Sequence, residues 1–97
     1  MREYTIVIAR KGAKPQKQKV EGEICYDSLA IRTPDATTKA VVLDHLETGL
    51  PIATFKTDAG ARAAVRELIQ VSDFKFKKIP PGLRGELAAI LKRHVHN

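Results

Sequence analysis

Residues 40–70, AVVLDHLETGLPIATFKTDAGARAAVRELIQ, decide the fold. Ala40-Val41-Val42-Leu43 and Leu50-Pro51-Ile52-Ala53-Thr54-Phe55 are apolar runs that suit strands, parted by a reversal at Glu47-Thr48-Gly49. Gly49 can take the positive φ that a short hairpin loop needs, because it has no Cβ to clash. Pro51 has no N–H to give to a ladder, which places it at the start of the second strand or on a sheet edge. Thr57 or Asp58 can cap a helix by accepting from an otherwise unpaired N–H. Beyond the cap, Ala61, Ala64, Val65, Leu68 and Ile69 fall at i, i+3, i+4, i+7 and i+8, one apolar stripe. Arg62, Arg66 and Gln70 fall on the opposite side. The reading is a hairpin followed by an amphipathic helix laid on the sheet.

The segment Ile52-Ala53-Thr54-Phe55-Lys56-Thr57 with the Ala-rich helix behind it resembles the strand-to-helix junction of AP2-type and integrase arm-type DNA-binding domains. It is similar also to the junction in peptidoglycan-binding SPOR domains. What these junctions share is a Phe turned into the core, a Thr cap and alanines along the packing face. The likeness is confined to this junction, and no functional residue follows from it.

Outward from this nucleus, Tyr4-Thr5-Ile6-Val7-Ile8-Ala9 carries apolar residues on both parities, which predicts a strand covered on both faces, or a central one. Residues 10–19 hold Arg10, Lys11, Lys14, Lys17 and Lys19 among Gly, Pro and Gln with no periodicity, and are expected to form a flexible basic loop. Residues 24–33 form a second strand candidate that Asp27-Ser28 could bend or bulge, and Pro34-Asp35 ends it. On the far side, Asp73-Phe74-Lys75-Phe76-Lys77-Lys78 alternates aromatic and basic side chains, the pattern of a short fifth strand with Phe74 and Phe76 on one side. Pro80-Pro81-Gly82 stops it. Residues 83–95 then repeat Leu83, Leu87, Ile90, Leu91 and His94 at helical spacing, and Lys92, Arg93, His94 and His96 at the end complement the helix dipole. The expected fold is α+β: an antiparallel four- to five-stranded sheet with two C-terminal helices packed on one face, in a single domain over residues 1–97.

The 97 residues suit one modest core, and 43% of them are hydrophobic, too many for a disordered tail. No apolar run reaches the ~20 residues of a membrane-spanning helix. The chain opens Met1-Arg2-Glu3 and runs straight into strand-like sequence, which predicts no signal peptide. The lone Cys25 excludes an internal disulfide and suits a reducing cytoplasm, as a buried, inert thiol. The net charge of +6 is unevenly spread. Residues 1–20 carry six basic and one acidic side chain, a net +5. Residues 21–60 carry three and seven, a net −4, and residues 61–97 carry eight and three, a net +5. Two basic ends flank an acidic middle.

Catalytic motifs are missing. No recognised pattern sets a Ser, Thr or Cys beside a base with an orienting partner, and Gly82-Leu83-Arg84-Gly85 is too short to cradle a phosphate and lacks the Lys-Ser or Lys-Thr that would follow. The expectation is a non-enzyme without a cofactor: a small basic module binding DNA or RNA through phosphate contacts from Arg10, Lys11, Lys14, Lys17, Lys19, Lys75, Lys77, Lys78, Arg84, Lys92 and Arg93. The competing expectation is a protein–protein module, an inhibitor or adaptor, for which Asp27, Asp35, Asp44 and Glu47 would form a functional acidic strip. A homodimer built by edge pairing stays open. His94-Val95-His96 is the one close pair of metal-type ligands, with no Cys or carboxylate at a recognised spacing. The melting temperature is therefore expected to be unchanged in excess chelator. A fall of several degrees that zinc reverses would show the histidines assembling a site after all.

Overall fold

The structure, a computed structural model, describes residues 2–8, 12–26, 28–34, 37, 39–78 and 80–95. Strands β1 (Arg2–Ile8), β2 (Gln16–Tyr26), β3 (Leu29–Arg32), β4 (Val41–His45) and β5 (Pro51–Phe55) pair in chain order as one antiparallel meander. Helices α1 (Asp58–Val71) and α2 (Arg84–His94) follow, with a 3₁₀ turn at Pro81–Leu83 between them. This is the expected α+β class with both helices near the C-terminus.

The hairpin and helix of residues 40–70 form as their chemistry requires. Gly49 has φ +73°, Pro51 opens β5, and the Thr57 hydroxyl accepts from the Gly60 N–H at 3.1 Å to cap α1. The stripe of α1 buries Ala61, Ala64, Val65 and Leu68 in one cluster with Leu29 and Ile31 of β3, Val41 and Leu43 of β4, and Phe55. Phe74 and, from α2, Leu87 and Ile90 complete that cluster. The two helices are also clamped at the surface: Glu67 of α1 accepts from the Arg93 guanidinium at 3.0 Å and from His94 Nε2. The His94 bond, and the Arg93 charge behind it, hold the Glu67 carboxyl below its usual range. Arg93 and His94 thus serve helix packing more than a helix dipole.

The opposite face of the sheet is also covered, because the sheet curls. Register sets Ala30 beside Asp44 and Arg32 beside Val42, on the side away from the helices. There Asp44, fully buried, accepts at Oδ2 from Arg32 Nε at 2.6 Å and from the Tyr4 hydroxyl of β1 at 2.7 Å. Burial and this bond to a carboxylate push the Tyr4 hydroxyl far above its ordinary range. Gly22 makes room for the crossing: a Cβ there would lie 2.9 Å from the Tyr4 hydroxyl and 2.6 Å from the Ile31 carbonyl. The outer edge of β1 then meets the β4–β5 loop, where the Val7 N–H donates to the Gly49 carbonyl at 2.7 Å.

Four local expectations need correction. β1 is an edge strand, not a central one. Its apolar residues occupy both parities because Ile6 is buried while Val7 lies against Gly49. The basic loop expected over 10–19 is shorter, since Gln16, Lys17, Gln18 and Lys19 pair with Ile8, Val7, Ile6 and Thr5. All four are exposed, so no apolar alternation announces that strand. Residues 24–33 are two strands, with a register shift between Ile24 and Tyr26 and a reversal before Leu29. Finally, the described residues 72–78 supply no strand, and Ile79 lies outside the described residues. Ser72 Oγ accepts from the Phe74 N–H and Asp73 Oδ1 from the Lys75 N–H, both at 3.1 Å, and Phe74 sits at φ +59°. Side-chain turns bring Phe74 inward while leaving Lys75, Lys77 and Lys78 exposed.

Cys25 lies partly buried against the helix-side core, its thiol donating to the Leu29 carbonyl at 3.5 Å. Burial pushes the thiol from its ordinary 9.0 to about 11. Between those values the folded chain holds a proton that the unfolded chain releases, so this contribution is intact below 9.0 and is lost as pH rises to about 11. Urea titrations across that window should show stability falling less steeply in Cys25→Ala than in the parent. Equal slopes would mean the thiol is not shielded. Packing has its own test: Leu68→Ala should cost on the order of 2–5 kcal/mol, whereas exposed Arg66→Ala should stay within about 0.5 kcal/mol. Comparable losses at the two positions would place the wrong face of α1 on the sheet.

Candidate functional site

A groove of about 470 Å³ opens where the β4–β5 loop, the segment after α1 and helix α2 converge. Its wall is aliphatic on two sides, with Leu50, Pro51 and Ile52 on one and Leu87, Ala88 and Leu91 on the other. Phe76 lines it as a half-buried ring, 5.6 Å from Phe74 and 5.0 Å from His45 between centroids. Lys77, Lys78 and Arg84 complete the lining, and all three are exposed. The groove is an apolar trough with a cationic rim.

His45 and Thr48 also reach this lining, so their chemistry matters. His45 Nε2 lies 2.6 Å from the Phe74 carbonyl, which can only accept, so the ring proton belongs on Nε2. In the neutral ring Nδ1 then accepts from the Thr48 hydroxyl at 2.8 Å, and Thr48 Oγ1 itself accepts from the Leu50 N–H at 3.2 Å. A hydroxyl beside an imidazole is the first half of a nucleophile–base pair. Here the imidazole is oriented by a backbone carbonyl, and no carboxylate pairs with it among the described residues. Every polar atom of the pair is engaged in fixing the hairpin loop and the Phe74 turn. The arrangement holds structure and presents no free base to a substrate.

A second cleft of about 490 Å³ lies between Ile6, Val7 and Ile8 of β1 and Leu50 and Pro51, with Arg32 in its wall. Leu50 and Pro51 belong to both depressions. The β1–β2 ribbon and the cationic groove therefore adjoin across one short stretch of chain.

The expected contact residues divide accordingly. Lys77, Lys78 and Arg84 are brought together on the groove. Lys14, Lys17 and Lys19 are exposed along the β1–β2 ribbon, and Lys19 lies 3.7 Å from Glu3 across the strands. Lys75 and Lys92 are exposed but line neither depression, and Arg93 is committed to Glu67. Arg10 and Lys11 lie outside the described residues. Among the described residues, Lys14, Lys17, Lys77, Lys78, Arg84 and Lys92 form no ion pair.

The acidic strip does not assemble as expected. Asp44 is in the core with Arg32 and Tyr4, Glu47 is exposed, and Asp27 and Asp35 lie outside the described residues. A carboxylate alone in an acidic stretch looks like surface; only the curl of the sheet shows that it is buried. The groove's aliphatic wall was equally invisible, although Leu50, 45% exposed beside the turn glycine, is its one outward sign. Among the described residues no group of three His, Cys, Asp or Glu side chains could hold a metal ion, and no helix is long and apolar enough to cross a membrane. Comparison with protein families, with curated proteins and with solved structures finds nothing that matches this chain, so the likeness at residues 52–57 stays local to that junction.

Proposed function

We propose that the protein is a small basic nucleic-acid-binding module that acts through phosphate contacts and does no catalysis. The observation that carries this reading is the meeting of Lys77, Lys78 and Arg84 on one groove whose wall, at Leu50 and Pro51, continues to the ribbon bearing Lys14 and Lys17. On this reading the cations of the two basic ends of the chain serve one ligand. Phosphate contacts need cations that are not already neutralised, and these five form no ion pair among the described residues. Lys19 and Arg93 contribute less, since each already faces a carboxylate. The engagement of both His45 nitrogens supports a binding role over a catalytic one. A single, shielded cysteine is in keeping with a reducing cytoplasm. In the competing protein-partner reading Asp44 could not serve as part of an acidic contact strip, because it is buried.

Binding of this kind is electrostatic, so log K should fall against log salt by about 0.7 per single-strand phosphate neutralised and about 0.9 per duplex phosphate. Replacing Lys14, Lys17 and Lys19 together by Gln should flatten that slope by about two units and weaken binding uniformly across sequences. Thermal stability should barely move, since all three are exposed. Filter binding or anisotropy over a salt series decides it. Affinity near physiological salt that is lost in the triple variant supports the module. No such affinity for DNA or RNA would overturn it in favour of a protein partner.

A further inference from the structure

Charge placement supports phosphate contact without saying which form of nucleic acid is bound, and the groove bears on that. We infer that the ligand is single-stranded, with base faces lying in the trough against Phe76 and Leu50 while its phosphates run along Lys77, Lys78 and Arg84; this rests on the nucleic-acid reading above.

Two properties of the trough select the strand. A duplex keeps its base faces stacked on one another and offers a protein a convex surface of phosphate and sugar. It has nothing apolar to fill a concave aliphatic groove, which would stay wet beneath it. A single strand presents apolar base faces and phosphates together, alternating along one chain, and this trough offers apolar wall and cation side by side. Phe76 is the ring placed for contact, because Phe74 is only 1% exposed. The second property is that the His45 and Thr48 side chains of the trough are already engaged. His45 and Thr48 are bonded to each other and to backbone, so base edges would find no donor or acceptor to read them there. Binding should tolerate sequence, as stacking does. The same property disfavours an extended peptide, whose backbone N–H and C=O groups would find no partners among those side chains.

The test compares labelled single-stranded DNA, single-stranded RNA and blunt duplex DNA of one length, with an acidic amphipathic peptide as a fourth ligand, near physiological salt. The single strands are expected to bind about tenfold more tightly than the duplex. Phe76→Ala should weaken single-strand binding by about tenfold and duplex binding little. Phe76 contributes to packing, so Leu50→Gln serves as the second variant: Leu50 is 45% exposed, its replacement should leave the circular dichroism spectrum unchanged, and it should lower single-strand affinity severalfold. Duplex binding equal to or tighter than single-strand binding, or single-strand binding indifferent to both variants, overturns this inference and leaves the nucleic-acid reading standing. Capture of the peptide with no nucleic acid bound overturns both.

Discussion

Strand β4 buries two polar side chains in succession, and much of the molecule is arranged around the partners they take at Asp44 Oδ2 and the two His45 ring nitrogens. Asp44 is turned to the inside of the curled sheet and His45 to the helix side, because neighbouring residues in a strand face opposite ways. A buried carboxylate left alone would cost several kcal/mol, and removing one partner of such a pair typically costs about 3–5 kcal/mol. Arg32 from β3 and Tyr4 from β1 answer Asp44, which requires β1 to fold across the sheet and Gly22 to leave space beneath Tyr4. His45 is answered by Thr48 within its own hairpin and by the carbonyl of Phe74, 29 positions further along the chain. One strand therefore ties down the N-terminal ribbon on one face and the chain beyond α1 on the other.

The groove follows from the second of these ties. For the Phe74 carbonyl to reach His45 Nε2, Phe74 adopts a left-handed backbone that costs a non-glycine residue about 1–2 kcal/mol. The side-chain turns of Ser72 and Asp73 and the burial of the Phe74 ring offset that cost. The kink directs Phe76 back toward the sheet and leaves Lys77 and Lys78 on the rim. Helix α2, held to α1 by Leu87, Ile90 and the Glu67 clamp, supplies the opposite wall and Arg84. Rim cations and apolar trough are thus consequences of satisfying one imidazole.

Selection among the cations follows the same logic of partners. The basic residues that meet a carboxylate are spent on the fold: Arg32 on Asp44, Arg62 on Asp58 and Glu23, Arg93 on Glu67. Of the others, Lys14 and Lys17 lie on the ribbon and Lys77, Lys78 and Arg84 on the groove, while Lys75 and Lys92 line neither depression. An excess of positive charge in a small chain has to be displayed somewhere, and here part of it is displayed beside an apolar groove.

The sequence by itself determined what short-range chemistry can specify. The apolar stripe of α1, the Thr57 cap, the turn at Gly49 and the strand start at Pro51 each depend on residues within a turn or two of one another, and each forms where the pattern places it. So does the α+β class. The sequence did not specify relations that depend on distant partners. Gln16 to Lys19 are polar on both faces, and only their pairing with β1 makes them a strand. The alternating Phe and Lys residues near position 75 have a strand's pattern, but a bond to His45 from 29 residues earlier bends them into a turn. Asp44 reads as surface until Arg32 and Tyr4 close over it. Tertiary structure decided these because burial and pairing free energies of several kcal/mol outweigh local preferences of about 1 kcal/mol or less per residue.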